Sequence, residues 1–289
     1  CSTQATLGRT QRQAVRHGGF VRSAQAFDDR AFRVSPAEAS VTDPQQRLLL
    51  EHGCEALECG GAACDVDCGD DTAAENVVAV FVGMEYFDFH AILAAGPSSN
   101  SVLAVNSGAM ASGRLSYVFD LKGPCMLVGT TCSSGLVVTH LAEGSLTSRN
   151  ATRAIVAAAS LALRPASHLW HAAAGSLSRS GRCKTFDATA DGFARSEGVV
   201  ASMLRLDRAT AEGVPSNDDT RVAIASQMVR SDGRSASFTA PNGKAQYAMI
   251  DHAWARMGRD GVDGHAAYEA HGTGTMLGDP IEARSATAV

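Results

Sequence analysis

Short apolar runs of strand length recur along the chain and alternate with helical stretches, and this alternation restricts the possible folds most strongly. The runs occupy residues 77–83, 125–128, 154–158, 199–206 and 222–226. A continuous apolar run is typical of a strand that is buried on both faces. Helices are predicted between the strands, at residues 133–148 and 244–257 among others. Strands that alternate with helices indicate a layered α/β fold in which both faces of the sheet are covered.

A capped helix is predicted before the first strand. Asp43 can cap its N-terminus, and Pro44 suits the first helical turn because its missing N–H has no partner there. Apolar residues at positions 48, 49 and 56 then recur at helical spacing, and Gly60 ends the helix.

The chain of 289 residues is long enough to bury a sizeable core. Its most polar internal segment, residues 207–220, is predicted to be a linker. We therefore expect a larger N-terminal half at residues 1–206 and a smaller C-terminal half at residues 221–289.

Charge and hydropathy exclude several classes of partner. The formal net charge is −5, which gives no positive field for nucleic acid or an anionic membrane. No apolar run reaches the roughly 20 residues that span a bilayer, and the N-terminus is too polar for the core of a signal peptide. These features predict a cytoplasmic protein, or one of an organelle stroma.

The chain contains eight cysteines, of which four lie between Cys54 and Cys68. Their spacing does not match the paired C-x-x-C pattern of zinc sites, so we expect reduced thiols and no metal. The pair His168 and His171 has the spacing of a metal-binding motif, but we interpret both as ordinary core or surface histidines.

One cysteine stands out by its position. Cys132 follows the apolar run at 125–128 and precedes Ser133, Ser134 and Gly135, small residues that permit a sharp turn into a helix. At a helix N-terminus the partial positive charge favours a thiolate, and backbone N–H groups can bind an oxyanion. A buried structural cysteine is the alternative interpretation of this segment by itself.

A second segment carries complementary chemistry. His271 begins the run H-G-T-G-T, in which Gly272 and Gly274 allow close backbone approach while Thr273 and Thr275 supply hydroxyl groups. A solvated loop histidine is the alternative here. Together the two segments predict a cysteine nucleophile with a histidine partner.

These residues lie within an ordered series of motifs that covers nearly the whole chain and resembles the β-ketoacyl synthase (ketosynthase) domain of modular polyketide synthases and fatty acid synthases. The motifs are G-G-F-V-R-S-A-Q-A-F-D, S-P-A-E-A, D-P-Q-Q-R-L-L-L-E, S-G-R-L-S-Y-V-F-D-L-K-G-P, F-D-A-T-A-D-G-F-A-R-S-E-G, T-A-P-N-G-K-A-Q and E-A-H-G-T-G-T, with the Cys132 segment among them. The resemblance implies a thiolase-like layered αβαβα fold.

The same resemblance implies a function for individual residues. Cys132 matches the nucleophile that takes an acyl chain from an acyl carrier protein, and its backbone N–H would form part of the oxyanion hole. His271 matches a histidine that assists decarboxylation of a malonyl-type extender, whose carbanion then attacks the acyl-enzyme. Thr273 and Thr275 match threonines that bind the phosphopantetheine arm, and Phe193 matches a position near the acyl pocket.

The implied cofactor and partners follow from that reaction. No bound cofactor is expected, because the phosphopantetheine arm belongs to the substrate carrier. The expected partners are the acyl carrier protein, other polyketide synthase domains, and a second copy that pairs through residues 125–130. Asp279, Pro280 and Glu282 are interpreted as residues that fix the His271 loop.

The chain departs from the family pattern at several positions. Gly129 replaces an acidic residue, Thr131 an alanine and Gly135 a serine, while Phe193 stands for a frequent tyrosine and Ser196 for a glycine. The second active-site histidine and the lysine of the family have no counterpart before Val289. We therefore expect a fold that is truncated at both ends and an isolated chain that is inactive.

Three alternatives to a condensing enzyme of carrier-bound chains remain open at this point. The chain could be a coenzyme A-dependent condensing enzyme of the thiolase fold. It could be a non-condensing subunit that only docks the carrier. It could also be a fragment without activity.

Overall fold

The computed structural model describes residues 8–61, 77–85, 87–97, 100–206, 222–257 and 267–288. The predicted linker at 207–220 lies outside the described residues, as do Cys64 and Cys68. The division of the chain into halves at that linker stays a prediction.

The described residues pack as two compact units that do not follow the order of the chain. The Cys132 unit contains residues 20–164 and 197–206, and the His271 unit contains residues 8–19, 165–196 and 222–288. Residues 165–196 pack with the C-terminal part because their backbone bonds to it directly, as between the N–H of Gly192 and the carbonyl of Gly274 (2.8 Å).

A four-stranded sheet forms the centre of the Cys132 unit, with the strand order β2-β1-β3-β4. The strands are β1 (Val78–Gly83), β2 (Cys125–Val128), β3 (Arg153–Ser160) and β4 (Gly198–Arg205). β1 pairs in parallel with β2 and β3, whereas β4 runs antiparallel to β3. Four of the five predicted strands are thus confirmed, with ends within two residues of the prediction.

The helices include both of the long elements predicted from periodicity and the capped helix. In chain order they are α1 (Arg9–Ala14), α2 (Pro36–Val41), α3 (Pro44–Cys59), α4 (Asp88–Ala94), α5 (Asn100–Val105), α6 (Gly108–Val118), α7 (Ser134–Thr147), α8 (Pro165–Ala173), α9 (Gly243–Met257) and α10 (Gly278–Thr287). The cap of α3 forms as predicted, since the Asp43 side chain accepts a hydrogen bond from the N–H of Gln45.

The two faces of β1 explain why this strand is apolar throughout. Val80 and Val82 pack into a cluster with Leu49 of α3 and Leu115 of α6, whereas Phe81 packs against α7 on the other face. All six residues of β1 are buried. The sheet therefore lies between α3 and α6 on one face and α7 on the other, which confirms the layered α/β prediction for this unit.

Two expectations from the sequence are wrong. Residues 222–226 form no strand. A strand needs a neighbouring strand for its N–H and C=O groups. Among the described residues, no strand pairs with this run. Cys54 is disulfide-bonded, so the prediction of reduced thiols fails at this residue.

Within the described ranges, no helix combines the length and apolarity needed to cross a membrane.

A buried polar network fixes the start of α3. Asn106, which is fully buried, accepts a hydrogen bond from the N–H of Asp43 (2.7 Å) and donates one to the carbonyl of Val41 (2.7 Å). The side chain of Gln45, also fully buried, accepts from the N–H of Leu161 beyond β3 (3.0 Å). Buried backbone groups without such partners would lower the free energy of unfolding.

We predict that Asn106→Leu lowers the free energy of unfolding by about 2–4 kcal/mol, because the N–H of Asp43 and the carbonyl of Val41 lose their partners in the core. The measurement is urea unfolding followed by circular dichroism. Asn150→Leu is the matched control, since Asn150 is exposed and the same change there should shift stability by less than about 0.5 kcal/mol. Equal unfolding midpoints for the two variants would refute the assigned role of the network.

Candidate active site

Cys132 lies where the sequence predicts it, at the junction between β2 and α7. A single turn of 3₁₀ helix, Thr131–Ser133, joins the strand to the helix, and the Cys132 side chain is exposed. α7 is 14 residues long, and Cys132 precedes its first residue by two positions, so the positive end of the helix dipole lies at the cysteine turn. This position suits a thiolate nucleophile.

Hydrogen bonds among hydroxyl groups hold this turn. The Ser134 hydroxyl accepts from the N–H of Thr130 (2.8 Å) and donates to the carbonyl of Thr131 (2.7 Å). The Ser133 hydroxyl donates to the carbonyl of Thr130 (2.8 Å). Thr131 has a φ of +53°, a left-handed conformation that costs a β-branched residue about 1–3 kcal/mol. The bonds from Ser134 stabilise that conformation.

A close contact with the end of β1 also fixes the Cys132 turn. A methyl group added at Gly83, the last residue of β1, would lie 2.9 Å from the carbonyl carbon of Ser134 and 3.1 Å from the nitrogen of Gly135. The backbone at the start of α7 therefore lies directly against the end of β1. A side chain at position 83 would push the Cys132 turn away from the sheet.

In the His271 unit, two glycines give the H-G-T-G-T loop its shape. Gly272 has a φ of +53° and Gly274 a φ of +67°, a region that glycine alone enters without strain. Space is also short: an added methyl group would lie 2.6 Å from the Thr185 side chain at Gly272, and 2.9 Å from the carbonyl oxygen of Gly192 at Gly274. His271 itself is exposed.

Two carboxylates of α10 bind the backbone of this loop. Glu282 accepts from the N–H of His271 (2.6 Å) with one oxygen and from the N–H of Gly272 (2.9 Å) with the other. Asp279, which is buried, accepts from the N–H of Gly274 (3.0 Å) and of Phe186 (2.7 Å). These bonds all come from backbone donors, so the two carboxylates fix the loop through its main chain.

Thr273 and Thr275 follow His271 in the loop and lie close to each other. Their hydroxyl oxygens are 3.2 Å apart, and both residues are half-buried. The Thr275 hydroxyl also accepts from the N–H of Gly278 (3.2 Å). The pair thus places two hydroxyl groups, each able to donate and accept a hydrogen bond, next to each other in the loop.

Phe193 belongs to the same unit and is linked to the loop through its backbone neighbour Gly192. Its half-buried ring meets the ring of His171 edge to face, with centroids 5.6 Å apart. Burial and the positive charge of Arg195 lower the pKa of both His168 and His171. Over the described ranges there is no group of three or more metal-ligating side chains.

Asp191, two residues before Phe193, accepts hydrogen bonds from Ser178 and Arg179 in an earlier turn of the same unit. Burial by itself would raise the pKa of Asp191, but hydrogen bonds from Ser178 and Arg179 and the charge of Lys184 outweigh it and lower the pKa to about 2. This carboxylate is therefore ionised at any pH at which the protein is expected to work.

The described structure thus groups four of the five predicted site residues, His271, Thr273, Thr275 and Phe193, in one unit, and places Cys132 in the other. Sequence reasoning missed Thr185, whose hydroxyl donates to the carbonyl of Gly272. The available signal was its position immediately before the motif that begins at Phe186 and contains Phe193.

Comparison with known proteins gives a consistent result. Residues 3–209 match the model of the β-ketoacyl synthase N-terminal domain, and residues 222–289 match that of the C-terminal domain. The chain is 41% identical over 274 residues to a phenolphthiocerol/phthiocerol polyketide synthase of Mycobacterium tuberculosis, covering 94% of this chain and 17% of the relative. It is 42% identical over 263 residues to the cyclo-acetoacetyl-L-tryptophan synthase of Aspergillus oryzae, covering 90% of this chain and 6% of the relative.

Solved structures agree with these relatives. The module 6 ketosynthase of the bacillaene synthase from Bacillus subtilis matches 99% of this chain and 47% of its own, with a TM-score of 0.79 and 29% identity. An oxazolomycin ketosynthase domain from Streptomyces albus matches 93% of this chain and 46% of its own, with a TM-score of 0.79 and 32% identity. This chain therefore spans less than a fifth of the length of these curated relatives and about half of the solved chains. With family matches that cover both segments of the sequence and ketosynthase neighbours that share its thiolase-like fold, the chain belongs to the β-ketoacyl synthase family.

Proposed function

We propose that this chain provides the condensing site of a polyketide synthase, which joins an acyl chain held on Cys132 to a malonyl-type extender held on an acyl carrier protein. One observation carries the proposal: an exposed cysteine at the start of a long helix, in a chain that also presents a histidine on a glycine loop fixed by carboxylates. A cysteine can hold the acyl chain covalently, and an imidazole can donate a hydrogen bond to the enolate that decarboxylation forms.

The first step is acyl transfer to Cys132. The thiolate attacks the thioester carbonyl of the carrier-bound chain, the bond from that carbonyl to the pantetheine sulfur breaks, and the released thiolate takes a proton. The positive end of α7 stabilises the attacking thiolate. The backbone N–H of Cys132 donates to the oxyanion of the tetrahedral intermediate.

The second step is decarboxylation and condensation. The bond between the carboxylate and the α-carbon of the extender breaks, carbon dioxide leaves, and the electron pair forms an enolate on the thioester. The imidazole of His271 donates a hydrogen bond to the enolate oxygen. The α-carbon then attacks the acyl carbonyl on Cys132, which forms the new carbon–carbon bond and returns the thiolate.

Other residues of the His271 unit position the substrate. The hydroxyl groups of Thr273 and Thr275 bind the amides of the phosphopantetheine arm, which is part of the substrate carrier and not a resident cofactor. Phe193 forms part of the wall that contacts the acyl chain. The acyl carrier protein and other polyketide synthase domains are the partners that this reaction requires.

A second copy of the chain is a further proposed partner. β2 lies at the edge of the sheet, where Cys125 and Met126 are exposed, so one side of this strand can pair with another chain. A homodimer that pairs two β2 strands would cover this edge immediately before the Cys132 turn.

Incubation with an acyl thioester should give a single acyl adduct that depends on Cys132. The family motifs that have no counterpart here favour an inactive isolated chain, but the acylation step needs only Cys132 and its hydrogen-bonded turn. We therefore predict that intact-protein mass spectrometry detects one added acyl group in the wild type and none in Cys132→Ala. Cys59→Ala is the matched control, because Cys59 is also exposed and outside any disulfide, and it should keep the adduct. An acyl adduct that persists in Cys132→Ala would show that Cys132 is not the acylated nucleophile.

Glu282→Ala should separate the two steps. The N–H groups of His271 and Gly272 lose their acceptor, so the imidazole is no longer held in place, and decarboxylation of a malonyl carrier should fall roughly 10- to 100-fold. Acylation of Cys132 should be unchanged. Glu269→Ala, an exposed carboxylate before the same loop, should leave both steps unaltered. Equal decarboxylation rates for Glu282→Ala and Glu269→Ala would contradict the positioning role.

A further inference from the structure

Thr131 differs from the other hydroxyl residues of the nucleophile turn in what its side chain contacts. The hydroxyls of Ser133 and Ser134 bond to the backbone of the turn, and the Thr130 hydroxyl lies 3.0 Å from that of Ser133. The Thr131 hydroxyl instead lies 3.7 Å from the sulfur of Cys132.

The backbone holds this hydroxyl close to the sulfur. Thr131 has a φ of +53°, which a β-branched residue adopts only where its surroundings enforce it. The Ser134 hydroxyl enforces it by binding the carbonyl of Thr131 (2.7 Å) and the N–H of Thr130 (2.8 Å). The turn that presents Cys132 therefore also fixes the backbone from which the adjacent hydroxyl extends.

A hydroxyl group at this distance distinguishes the two ionisation states of the sulfur. A thiol sulfur is a weak acceptor, whereas a thiolate accepts a charge-assisted hydrogen bond that is considerably stronger. An O–H donor beside Cys132 therefore favours the thiolate. It also makes that thiolate less nucleophilic, because part of its charge is engaged.

We propose that Thr131 tunes the nucleophile by donating a hydrogen bond from its hydroxyl to the thiolate of Cys132. Thr131 keeps its proton throughout, and the thiol proton of Cys132 passes to solvent. When the sulfur becomes acylated it is a poor acceptor, and the hydroxyl is released from this bond. Thr131 is thus a positioning and tuning residue, and its importance for catalysis rests on the acyl transfer proposed above.

The two effects of the hydrogen bond oppose each other, and their sizes decide the outcome. If the bond lowers the pH midpoint of thiol ionisation by about one unit, the thiolate fraction rises about tenfold below that midpoint, while the intrinsic reactivity falls about threefold. The net gain is about threefold at low pH. Above the midpoint, where all of the sulfur is ionised, the bond slows the reaction by about threefold.

The test is the pH profile of alkylation of Cys132 by iodoacetamide, followed on the Cys132 peptide by mass spectrometry so that other cysteines do not interfere. In Thr131→Val, which keeps the branched shape, we expect the midpoint to rise by about half to one unit, with a slower rate at about pH 7 and a higher plateau at about pH 10. Thr131→Ser should restore the wild-type profile. Thr147→Val is the matched control, because the Thr147 hydroxyl bonds to its own helix at the carbonyl of Glu143 (2.9 Å).

Profiles for Thr131→Val and wild type that superimpose would overturn the inference, as would a Thr131→Ser profile that follows Thr131→Val. If circular dichroism shows that Thr131→Val does not fold, Thr131→Ala replaces it. Thr131→Ala must then show the same slower alkylation at low pH and faster alkylation at high pH. Alkylation does not require acyl transfer. If the alkylation rates of Thr131→Val and wild type cross with pH but no acyl adduct forms, the proposed function is refuted and this inference stands. If an acyl adduct forms but the two rates do not cross, this inference is refuted and the proposed function stands.

Discussion

The position of the nucleophile depends on one close approach, between the last residue of β1 and the first turn of α7. Gly83 leaves no room for a side chain there, so the backbone of Ser134 and Gly135 rests on the end of the strand. β1 is itself buried on both faces and paired on both edges. The turn that carries Cys132 therefore rests on a strand that has neighbours on every side.

The histidine loop achieves the same rigidity by a different physical means. Its backbone N–H groups are bound by Glu282 and Asp279, two carboxylates one helical turn apart on α10. Charge-assisted bonds to the main chain set the direction of the His271, Thr273 and Thr275 side chains through the loop backbone. In both units, residues outside the proposed reaction hold the backbone of the residues that are proposed to take part in it.

Much of this arrangement could be predicted from the sequence, because it depends on local signals. The Asp43 cap, the apolar run of β1 and the small residues after Cys132 each specify their own conformation. The features that the sequence did not predict correctly depend on residues far away in the chain. The run at 222–226 has the composition of a strand, but composition does not supply a neighbour to pair with. The Thr185 contact with Gly272 joins residues 87 positions apart, and no periodicity reveals it.

The most direct test of condensation at Cys132 is a single-turnover reaction of the acylated chain with a malonyl carrier protein, in which released carbon dioxide and the carrier-bound product are both quantified. We predict equal amounts of carbon dioxide and of β-ketoacyl product on the carrier, with loss of the acyl group from Cys132. Carbon dioxide release from acylated, folded protein with the acyl group still on Cys132 would contradict condensation at this site.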